Sequence, residues 1–564
     1  MARGPSKKGP NKVKSKKKPV AKKKPKKPVA KKKPVAKKKK KPTAKKKPVA
    51  KKKKPAAKKK PAAKKPAGKK KPAAKKKKLE TAEEKPAPEV LFEEEPLAEE
   101  KPEPAEPVPE AEKPEKQAPA EPEVLLPPAD PDNILKLLLY LEAAGAADTE
   151  ALTQGVEFLD VGIIEAASSA AEAVNLLRNR GKLDFLLEAA GCPAVTELPE
   201  EQRYLARLAA LRSLGGTAAV DLGRRIDGPE KEIEQALEKL ASGGEEAVDF
   251  PDRAKNTVSY LAARYSLPHW LAAEILAEHG LQRAELIGQG AALEPDPALA
   301  VNRIRTDSET LAERLRDEGI NPRPSKYARD CLLVEPSADL LGTRCYEEGL
   351  FEIVGQADQV AAQLAASRDR GAAVYLQAGP GAMHDAVLAS SQGSRDKLTV
   401  LTGDIGASLG AKKRARRLGS VMVRVIEIAQ DEPLDTDRIG LADRVLVEVP
   451  STGTGTMLRD PLARWKLEPA APEEFQERQV RCLEGAASLV APRGRLVYVS
   501  HSVLYRENQA VLGEFLGAHP EFTRFPVRHV HPALSEFETN EDFLQILPGE
   551  EAMYGLFAAV LERE

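Results

Sequence analysis

The sequence has few cysteines and few aromatic residues. Its four cysteines are widely spaced and form neither a disulfide framework nor a Cys-x-x-Cys metal site. Phe, Trp and Tyr make up 4% of the chain, which argues against a large stacking surface for single-stranded nucleic acid. No apolar run reaches the roughly 20 residues that span a bilayer, and no apolar segment follows the basic N-terminus. We therefore expect a cytoplasmic protein with no membrane span and no metal centre.

Acidic residues are absent from residues 1–78, which contain 39 lysines and one arginine. The rest of the chain carries 50 basic and 85 acidic residues, so a polycation precedes an acidic body. Residues 17–78 repeat Lys-Lys-Lys-Pro-Val-Ala and close variants. Because proline blocks long helices and lysine blocks repel one another, we predict a disordered tail over 1–78. Residues 79–130, rich in Glu, Pro and Ala, predict an acidic linker.

The composition of the tail resembles the tails of linker histones and of bacterial histone-like proteins. Each lysine that neutralises a phosphate releases condensed counterions, so such a tail binds DNA, RNA or other polyanions without sequence preference. The alternatives are a solubilising tail and a tail that binds the acidic linker of the same chain.

Residues 131–242 predict an all-helical domain. Asp130-Pro131-Asp132 starts a helix before an apolar stretch, and Gly145 ends it. Further helical patterns follow without strand-like alternation. They cover 151–159, 163–177, 183–190, 201–214 and 229–241.

The remaining chain predicts a small α/β module over 256–333 and an α/β domain over 334–564. In the module, a strand at 298–305 is followed by a helix at 308–318. In the second domain, short apolar runs alternate with helical patterns, which predicts a parallel, doubly wound sheet. The predicted strands are 373–378, 397–401, 421–428, 444–449 and 495–499. Ligands of such sheets bind at the carboxyl ends of strands.

Two motifs in the last 120 residues carry a family resemblance. Glu448-Val-Pro-Ser-Thr-Gly-Thr-Gly455 resembles an Asp-Ala-Pro-Cys-Ser-x-Thr-Gly motif, and Leu496–Leu504 resembles a Val-Tyr-x-Thr-Cys-Ser motif. With Gly349-Leu350-Phe351 and Leu547-Pro548-Gly549, they are similar in order to bacterial RsmB-type members of the RsmB/Nop/Sun family. The resemblance covers roughly 131–564.

This resemblance implies a Rossmann-like class I methyltransferase domain, preceded by an RNA-binding-type module and a helical NusB-like domain. It also implies S-adenosylmethionine as the cofactor and an RNA, either rRNA or tRNA, as the partner. Members of the family methylate carbon 5 of cytosine. One cysteine attacks carbon 6 of the base as a thiolate, and a second cysteine assists product release.

Both cysteines are absent here, because the resemblance places Ser451 and His501 at their positions. A serine without an adjacent base is a poor nucleophile, and imidazole is a poor substitute for a thiolate. The cofactor loop also departs from the family pattern. Tyr375 replaces an acid, Gln377 a cysteine and Met383 a lysine, and Val354-Gly355 replaces a Gln-Asp pair.

Five residues remain as candidates for cofactor contact. Gly379, Pro380 and Gly381 keep a tight turn that lets the backbone approach a ligand. Asp404 supplies an acid for ribose hydroxyls, and Glu448 keeps the charge of the motif aspartate. The alternatives are a generic turn at 379–381 and a helix cap at Asp404.

The two positions that replace cysteine also have structural interpretations. In the structural interpretation, residues 451–455 form a loop without a chemical role. His501 is then a polar residue without a function, in a pocket that has lost its catalytic cysteine. The chemical alternative makes His501 a base beside Glu448 or Asp404.

One basic cluster lies in the acidic body. Its members, on a predicted helix at 411–418, are Lys412, Lys413, Arg414, Arg416 and Arg417. They form either a solvated helix face or an RNA-binding patch.

Three functions remain open. The first is a degenerate family member that binds RNA or the ribosome. The second is a methyltransferase without catalytic cysteines, in which His501 or Ser451 steers direct transfer to a nitrogen or oxygen atom. The third is a nucleoid-associated adaptor in which the tail carries the function. The losses at both cysteine positions and in the cofactor loop favour the first.

Overall fold

The computed structural model describes residues 127–192, 195–228, 230–336, 338–366, 371–379, 384–391, 397–429 and 433–564. The predicted tail and nearly all of the predicted linker lie outside these ranges, as do Pro380, Gly381 and Met383. Within them, no helix is both long enough and apolar enough to cross a membrane. No group of three or more His, Cys, Asp or Glu residues in the described ranges is arranged to hold a metal ion.

The first described part is a helical domain with its own apolar core. Its helices are α1 (Pro131–Ala144), α2 (Thr149–Leu159), α3 (Ile163–Arg178), α4 (Arg180–Ala190), α5 (Glu200–Ser213), α6 (Val220–Gly223) and α7 (Glu230–Gly243). The Asp130 side chain caps α1 by accepting from the Asp132 N–H, and Gly145 ends it in the left-handed conformation. The predicted all-helical character is confirmed. The four-residue helix α6 was not predicted, because it is too short to show periodicity.

A small four-stranded antiparallel sheet follows, in the order β2-β3-β1-β4. The part of the chain that forms this sheet contains α8 (Thr257–Tyr265), α9 (His269–Gly290), β1 (Ala298–Val301), α10 (Ser308–Asp317), β2 (Arg323–Pro324), β3 (Cys331–Leu333), α11 (Arg344–Glu347) and β4 (Phe351–Ile353). The strand predicted over 298–305 ends at Val301. Asn302 begins a turn instead, because its side-chain amide donates to the carbonyls of Gly349 and Leu418, each at 2.7 Å.

The rest of the chain forms the larger α/β domain. Its elements are α12 (Gln356–Ala365), β5 (Ala372–Gln377), α13 (His384–Ser391), β6 (Lys397–Thr402), α14 (Ile405–Leu418), β7 (Val423–Glu427), α15 (Thr436–Ile439), β8 (Ala442–Glu448), α16 (Ala463–Lys466), α17 (Ala471–Ala487), β9 (Val490–Ser500), α18 (Gln509–Ala518), β10 (Phe522–Arg524), β11 (Leu544–Ile546) and β12 (Leu556–Arg563).

The strands of this domain form one sheet in the order β7-β6-β5-β8-β9-β12-β10, and β11 pairs with β12. The first five are parallel, whereas β12 runs antiparallel to β9. Val445, Leu446 and Val447 of β8 are fully buried, as expected for a strand covered on both faces. The predicted doubly wound, Rossmann-like fold is confirmed. The strand register aligns Gln377 with Thr402 and with Glu448, so these strand ends share one edge of the sheet.

Candidate functional site

A cleft of about 760 Å³ opens at this edge of the sheet. Asp404 lines this cleft, two residues after the end of β6, and is exposed. Its Oδ1 atom accepts from the Ala407 N–H at 2.6 Å and thereby caps α14, which is why that helix begins before the predicted 411. The helix-cap interpretation of Asp404 is therefore correct, and the same carboxylate also lines the cleft.

Gly379 brings the backbone of the first loop against the end of β8. Its N–H donates to the Glu448 carbonyl at 3.0 Å. A Cβ atom at this position would lie 2.6 Å from the Val449 carbonyl oxygen, so no larger residue fits without movement of the backbone. Gly379 lines the cleft, whereas Pro380 and Gly381 lie outside the described residues.

Beneath the cleft lining, the Glu448 side chain is fully buried at the end of β8. The Tyr375 hydroxyl donates to its Oε2 atom, and His384 Nδ1 lies 3.0 Å from the same oxygen. His501 Nε2 lies 3.5 Å from the other carboxylate oxygen, Oε1. Glu448 therefore faces three buried side chains and does not line the cleft.

Asp358 of α12 supplies a second carboxylate to the same place. Its Oδ2 atom accepts from Arg459 Nη2 at 2.6 Å. Its Oδ1 atom lies 3.6 Å from His501 Nε2 and 4.0 Å from His384 Nε2. The Arg459 guanidinium stacks on the Tyr554 ring, 4.2 Å from its centroid. We call the six residues Asp358, Tyr375, His384, Glu448, Arg459 and His501 the buried charge cluster.

The members of this cluster set one another's protonation. Burial alone would raise the pKa of Glu448, but the charges of His384 and His501 lower that pKa well below its usual range. Burial alone would also raise the pKa of Asp358, but the charge of Arg459 lowers it. Burial would lower the pKa of His384, but Glu448 raises it. The Glu448 and Asp358 carboxylates are thus held in their ionised form. They face the Arg459 guanidinium and His384, whose protonated form is favoured.

Several atoms of the cluster lack hydrogen bonds. Among the described residues, His384 Nε2, Glu448 Oε1 and both ring nitrogens of His501 are buried without a hydrogen-bond partner. His501 faces its two carboxylates at ion-pair distance, longer than a hydrogen bond. His501 is 6% exposed, so its side chain is buried in the protein interior.

The loop that carries Ser451 is held by a buried glutamate. Glu507 accepts from the Thr452 N–H at 2.8 Å, from the Thr452 hydroxyl, and from the Ser502 hydroxyl at 2.6 Å. Burial raises the pKa of Glu507 despite these bonds. Within the described part of the chain, the Ser451 hydroxyl makes no hydrogen bond. These contacts support the structural-loop interpretation of residues 451–455.

Three of the five basic side chains of α14 pair with carboxylates, two of them in partly buried ion pairs and one at the surface. Arg414 pairs with Asp385 at 3.1 Å, and Lys412 lies 3.4 Å from Glu427. Arg417 pairs with Glu352 and stacks on the Tyr346 ring at 3.9 Å. The side chains of the remaining two cations, Lys413 and Arg416, are exposed.

Two residues of the buried charge cluster were missed at the sequence level. His384 follows the Gly379 turn by five residues, and this proximity was the only available signal. Asp358 precedes the first strand of the sheet, and no pattern connects it to a motif 90 residues later. The sequence also paired His501 with Asp404 as an alternative. In the structure, the carboxylates that face His501 are Asp358 and Glu448.

Comparison with known proteins agrees with the fold and with the motifs. The family model for the 16S rRNA methyltransferase RsmB/F matches residues 379–562. A second model, for the ferredoxin-like domain of RsmF/B-like methyltransferases, matches residues 267–340. Residues 267–340 and 379–562 thus match the RsmB/F family of methyltransferases.

Individual members of the RsmB/Nop/Sun family show distant similarity. The probable ribosomal RNA small subunit methyltransferase B of Bacillus subtilis (strain 168) is 26% identical over 50% of this chain and 63% of its own length. The protein of the same name from Synechocystis sp. is 24% identical over 69% of this chain and 89% of its own length. The chain thus spans less than two thirds of the Bacillus relative. The solved structure of PH0851 superposes with a TM-score of 0.59 at 20% identity, covering 78% of this chain and all of that one.

Methyltransferases of the RsmB/Nop/Sun family use S-adenosylmethionine. The described lining of the cleft fits this ligand. Ile428 and Leu434 provide apolar walls for a base, Asp404 an exposed carboxylate for hydroxyl groups, and Gly379 a close backbone approach. Tyr375 of β5 is buried and donates to Glu448, so it does not line the cleft.

Proposed function

We propose that this chain is an RNA-binding member of the RsmB/Nop/Sun family that has lost cytosine-5 methylation. The observation that carries the proposal is the position of His501, whose ring is buried between Asp358 and Glu448 where the family has its nucleophilic cysteine. In this proposal, the protein binds small-subunit rRNA, the substrate class named in its relatives.

The chemistry supports the loss of activity. Addition to carbon 6 of cytosine needs an anionic, accessible nucleophile. The His501 side chain is buried, with Nε2 3.6 Å from Asp358 Oδ1 and 3.5 Å from Glu448 Oε1, and an imidazole is a poor substitute for a thiolate in such an addition. The Ser451 hydroxyl has no base within hydrogen-bonding distance in the described residues, so it is not activated either.

In this proposal, the cleft still binds the cofactor. S-adenosylmethionine would supply a methyl group when bound, with Asp404 accepting from its ribose hydroxyls and the Gly379 backbone passing close to it. The cleft and the buried charge cluster consist of different side chains. The cofactor can therefore still bind in a protein that binds RNA without methylating it.

RNA affinity is proposed to come from two sources. Residues 131–564 carry 46 basic and 68 acidic residues, so the body has little electrostatic attraction for a polyanion. The lysine-rich tail would supply non-specific attraction to RNA or DNA, and the exposed Lys413 and Arg416 would contact the backbone of bound RNA. On this proposal the protein is cytoplasmic and associates with the ribosome or the nucleoid.

Methyl transfer from labelled S-adenosylmethionine to total rRNA and tRNA tests the proposal. The full chain should give no label at a concentration at which an intact family member saturates the same RNA, while it still retains rRNA in a filter-binding assay. 5-Methylcytosine formed by the full chain would refute the loss of activity. Absence of rRNA binding at low salt would refute the binding role.

A second candidate function is methyl transfer to a nitrogen or oxygen atom, which needs no cysteine adduct. One observation favours it. His384 Nδ1 lies 3.0 Å from Glu448 Oε2, while its Nε2 atom is buried and has no hydrogen-bond partner among the described residues, so the ring keeps one nitrogen available for a hydrogen bond to a substrate. Label on a product other than 5-methylcytosine, lost in His384→Gln and kept in the matched variant His519→Gln, would select this function.

A further inference from the structure

The face of α14 that points to solvent changes its chemical character along the helix. Its N-terminal half carries Ile405 and Leu409, which are 68% and 63% exposed. Its C-terminal half carries the exposed cations Lys413 and Arg416. Residues three or four positions apart lie on the same side of a helix, so these four side chains form one continuous surface. We call this surface the α14 stripe.

The α14 stripe is unpaired within the described part of the chain. Lys413 and Arg416 form no ion pair there, unlike their neighbours Arg414 and Arg417. A single exposed apolar side chain is ordinary, but two of them one turn apart, followed by two unpaired cations, match a partner with an apolar end and an acidic end. A phosphate backbone matches the cations alone, because phosphates make no apolar contact.

The predicted acidic linker contains a segment with the complementary order. Val90-Leu91-Phe92 is followed directly by Glu93-Glu94-Glu95. Phe92 is the single aromatic residue among residues 1–130, and the three glutamates are the longest acidic run of the chain. The similar apolar run Val124-Leu125-Leu126 is followed by two prolines, so it offers no charge to the cations.

The lengths of the two patterns agree when both run in the same direction. A helix rises about 1.5 Å per residue, which places Lys413 about 12 Å along α14 from Ile405. An extended segment rises about 3.3 Å per residue, which would place Glu94 about 13 Å from Val90. The 31 residues from 96 to 126 can span roughly 100 Å, so their length does not keep the segment from α14.

We propose that residues 90–95 of the linker dock on the α14 stripe of the same chain. The apolar residues of the segment contact Ile405 and Leu409, and its glutamates pair with Lys413 and Arg416. The lysine-rich tail offers the glutamates many cations, but residues 1–78 contain no Leu, Ile or aromatic residue to pack against Phe92. Charge and apolar surface together therefore favour α14 over the tail.

Docking has a consequence for RNA, and this consequence rests on the proposed RNA-binding function. Lys413 and Arg416 are the two cations of the body that we propose to contact the RNA backbone. A docked linker covers both of them, so the linker and the RNA compete for one surface.

Cleavage of the full chain by a glutamyl endopeptidase tests docking without RNA. The rate of cleavage after Glu93 and Glu94 is divided by the rate after Glu110, which lies in the same linker outside the docked segment. Because a protease cuts the free population of a segment, docking lowers this ratio and undocking raises it.

Single substitutions in the α14 stripe should raise the cleavage ratio. We expect a several-fold rise in Leu409→Ser, which removes an apolar contact, and in Lys413→Glu, which repels the glutamates. The matched variants Leu293→Ser and Lys239→Glu alter exposed residues elsewhere and should keep the wild-type ratio. Contacts between the glutamates and the tail are common to all five proteins.

A charge exchange provides a second test. Glu94→Lys/Glu95→Lys removes docking and leaves the bond after Glu93 for the measurement. Adding Lys413→Glu/Arg416→Glu to this protein should lower the cleavage ratio several-fold, because the exchanged charges attract each other again. An unchanged ratio in the fourfold variant would contradict pairing between the segment and α14.

Two further results would overturn the proposal. One is an equal ratio in wild type, Leu409→Ser and Lys413→Glu. The other is a wild-type ratio that rises on dilution of the protein, because docking within one chain does not depend on concentration. Such a rise would place the segment on a second copy of the chain.

Competition with RNA is measured separately by filter binding. Glu93→Gln/Glu94→Gln/Glu95→Gln should bind rRNA several-fold more tightly than Glu106→Gln/Glu110→Gln/Glu112→Gln, which changes the linker charge by the same amount. Equal affinities would contradict competition. Absence of rRNA binding in every protein would refute the proposed function, whereas the protease measurement, which contains no RNA, would still decide whether the segment docks.

Discussion

His384 Nδ1 lies 3.0 Å from Glu448 Oε2, and both side chains are almost completely excluded from solvent. The pair joins the start of α13 to the end of β8, at the edge of the sheet where the cleft opens. Glu448 also accepts from Tyr375 and faces His501, so it is the central acceptor of the buried charge cluster. Four predictions follow from this arrangement and from the charge distribution of the chain.

Glu448→Gln should destabilise the protein by about 3–5 kcal/mol, because it leaves His384 buried without its nearest counter-charge. Chemical unfolding of both proteins measures the difference. Glu477→Gln is the matched control, since Glu477 is exposed, and it should stay within about 0.5 kcal/mol of the wild type. A loss below about 1 kcal/mol for Glu448→Gln would mean that the cluster contributes little to stability.

The stability of the cluster should be greatest at mildly acidic pH. The raised pKa of His384 contributes stability that is fully present below about pH 6.5 and is lost as the pH rises through the folded-state pKa. The lowered pKa values of Glu448 and Asp358 contribute stability that is present above about pH 4.5 and is lost as the pH falls. Free energies of unfolding between pH 4 and 9 test both limbs. His384→Gln should flatten the alkaline limb, and an unchanged slope there would assign it to another group.

Asp404→Asn should separate the two roles of Asp404. Asparagine keeps an N-cap oxygen for the Ala407 N–H, so stability should change by less than about 1 kcal/mol. Loss of the charge should weaken S-adenosylmethionine binding about tenfold, as measured by calorimetry, because a charged acceptor for the ribose hydroxyls is lost. Asp317→Asn, on the exposed side of α10, is the control. Equal affinity in wild type and Asp404→Asn would leave Asp404 as a helix cap alone.

Removal of residues 1–78 should weaken binding to duplex DNA and to rRNA at low salt by orders of magnitude. The tail carries about 40 positive charges, and each phosphate contact adds about 0.9 to the slope of log K against log salt. Filter binding at several salt concentrations measures affinity and slope together. A truncated protein with the same slope as the full chain would show that the tail does not contact the nucleic acid.

Patterns within single elements could be predicted from the sequence. The predicted helices of the first domain and the five predicted parallel strands appear within about five residues of their predicted bounds. Hydrophobic periodicity and glycine at helix ends depend on residues that are close in the sequence. They therefore predict an element without knowledge of its tertiary contacts. The error at 298–305 has a tertiary cause, since Asn302 leaves the strand to bond Gly349 and Leu418.

The contents of the site were only partly predictable. Sequence motifs placed Ser451, Glu448 and His501 at the correct strand ends, because the family pattern is ordered along the chain. The role of Asp404 as both cap and cleft residue could not be separated from sequence, since a cap and a ribose-binding acid occupy the same position after a strand.

Strand and helix order, the charge division of the chain and the absence of motif cysteines were all determined by the amino-acid sequence, because each depends on residue identity and local spacing. The tertiary structure alone decided that Asp358, His384 and Glu448 surround His501, and that Arg464 is buried against Arg178. These contacts join residues 26 to 286 positions apart. Burial then fixes which of these groups are charged, since the cost of removing a charge from water depends on which partner the fold places beside it.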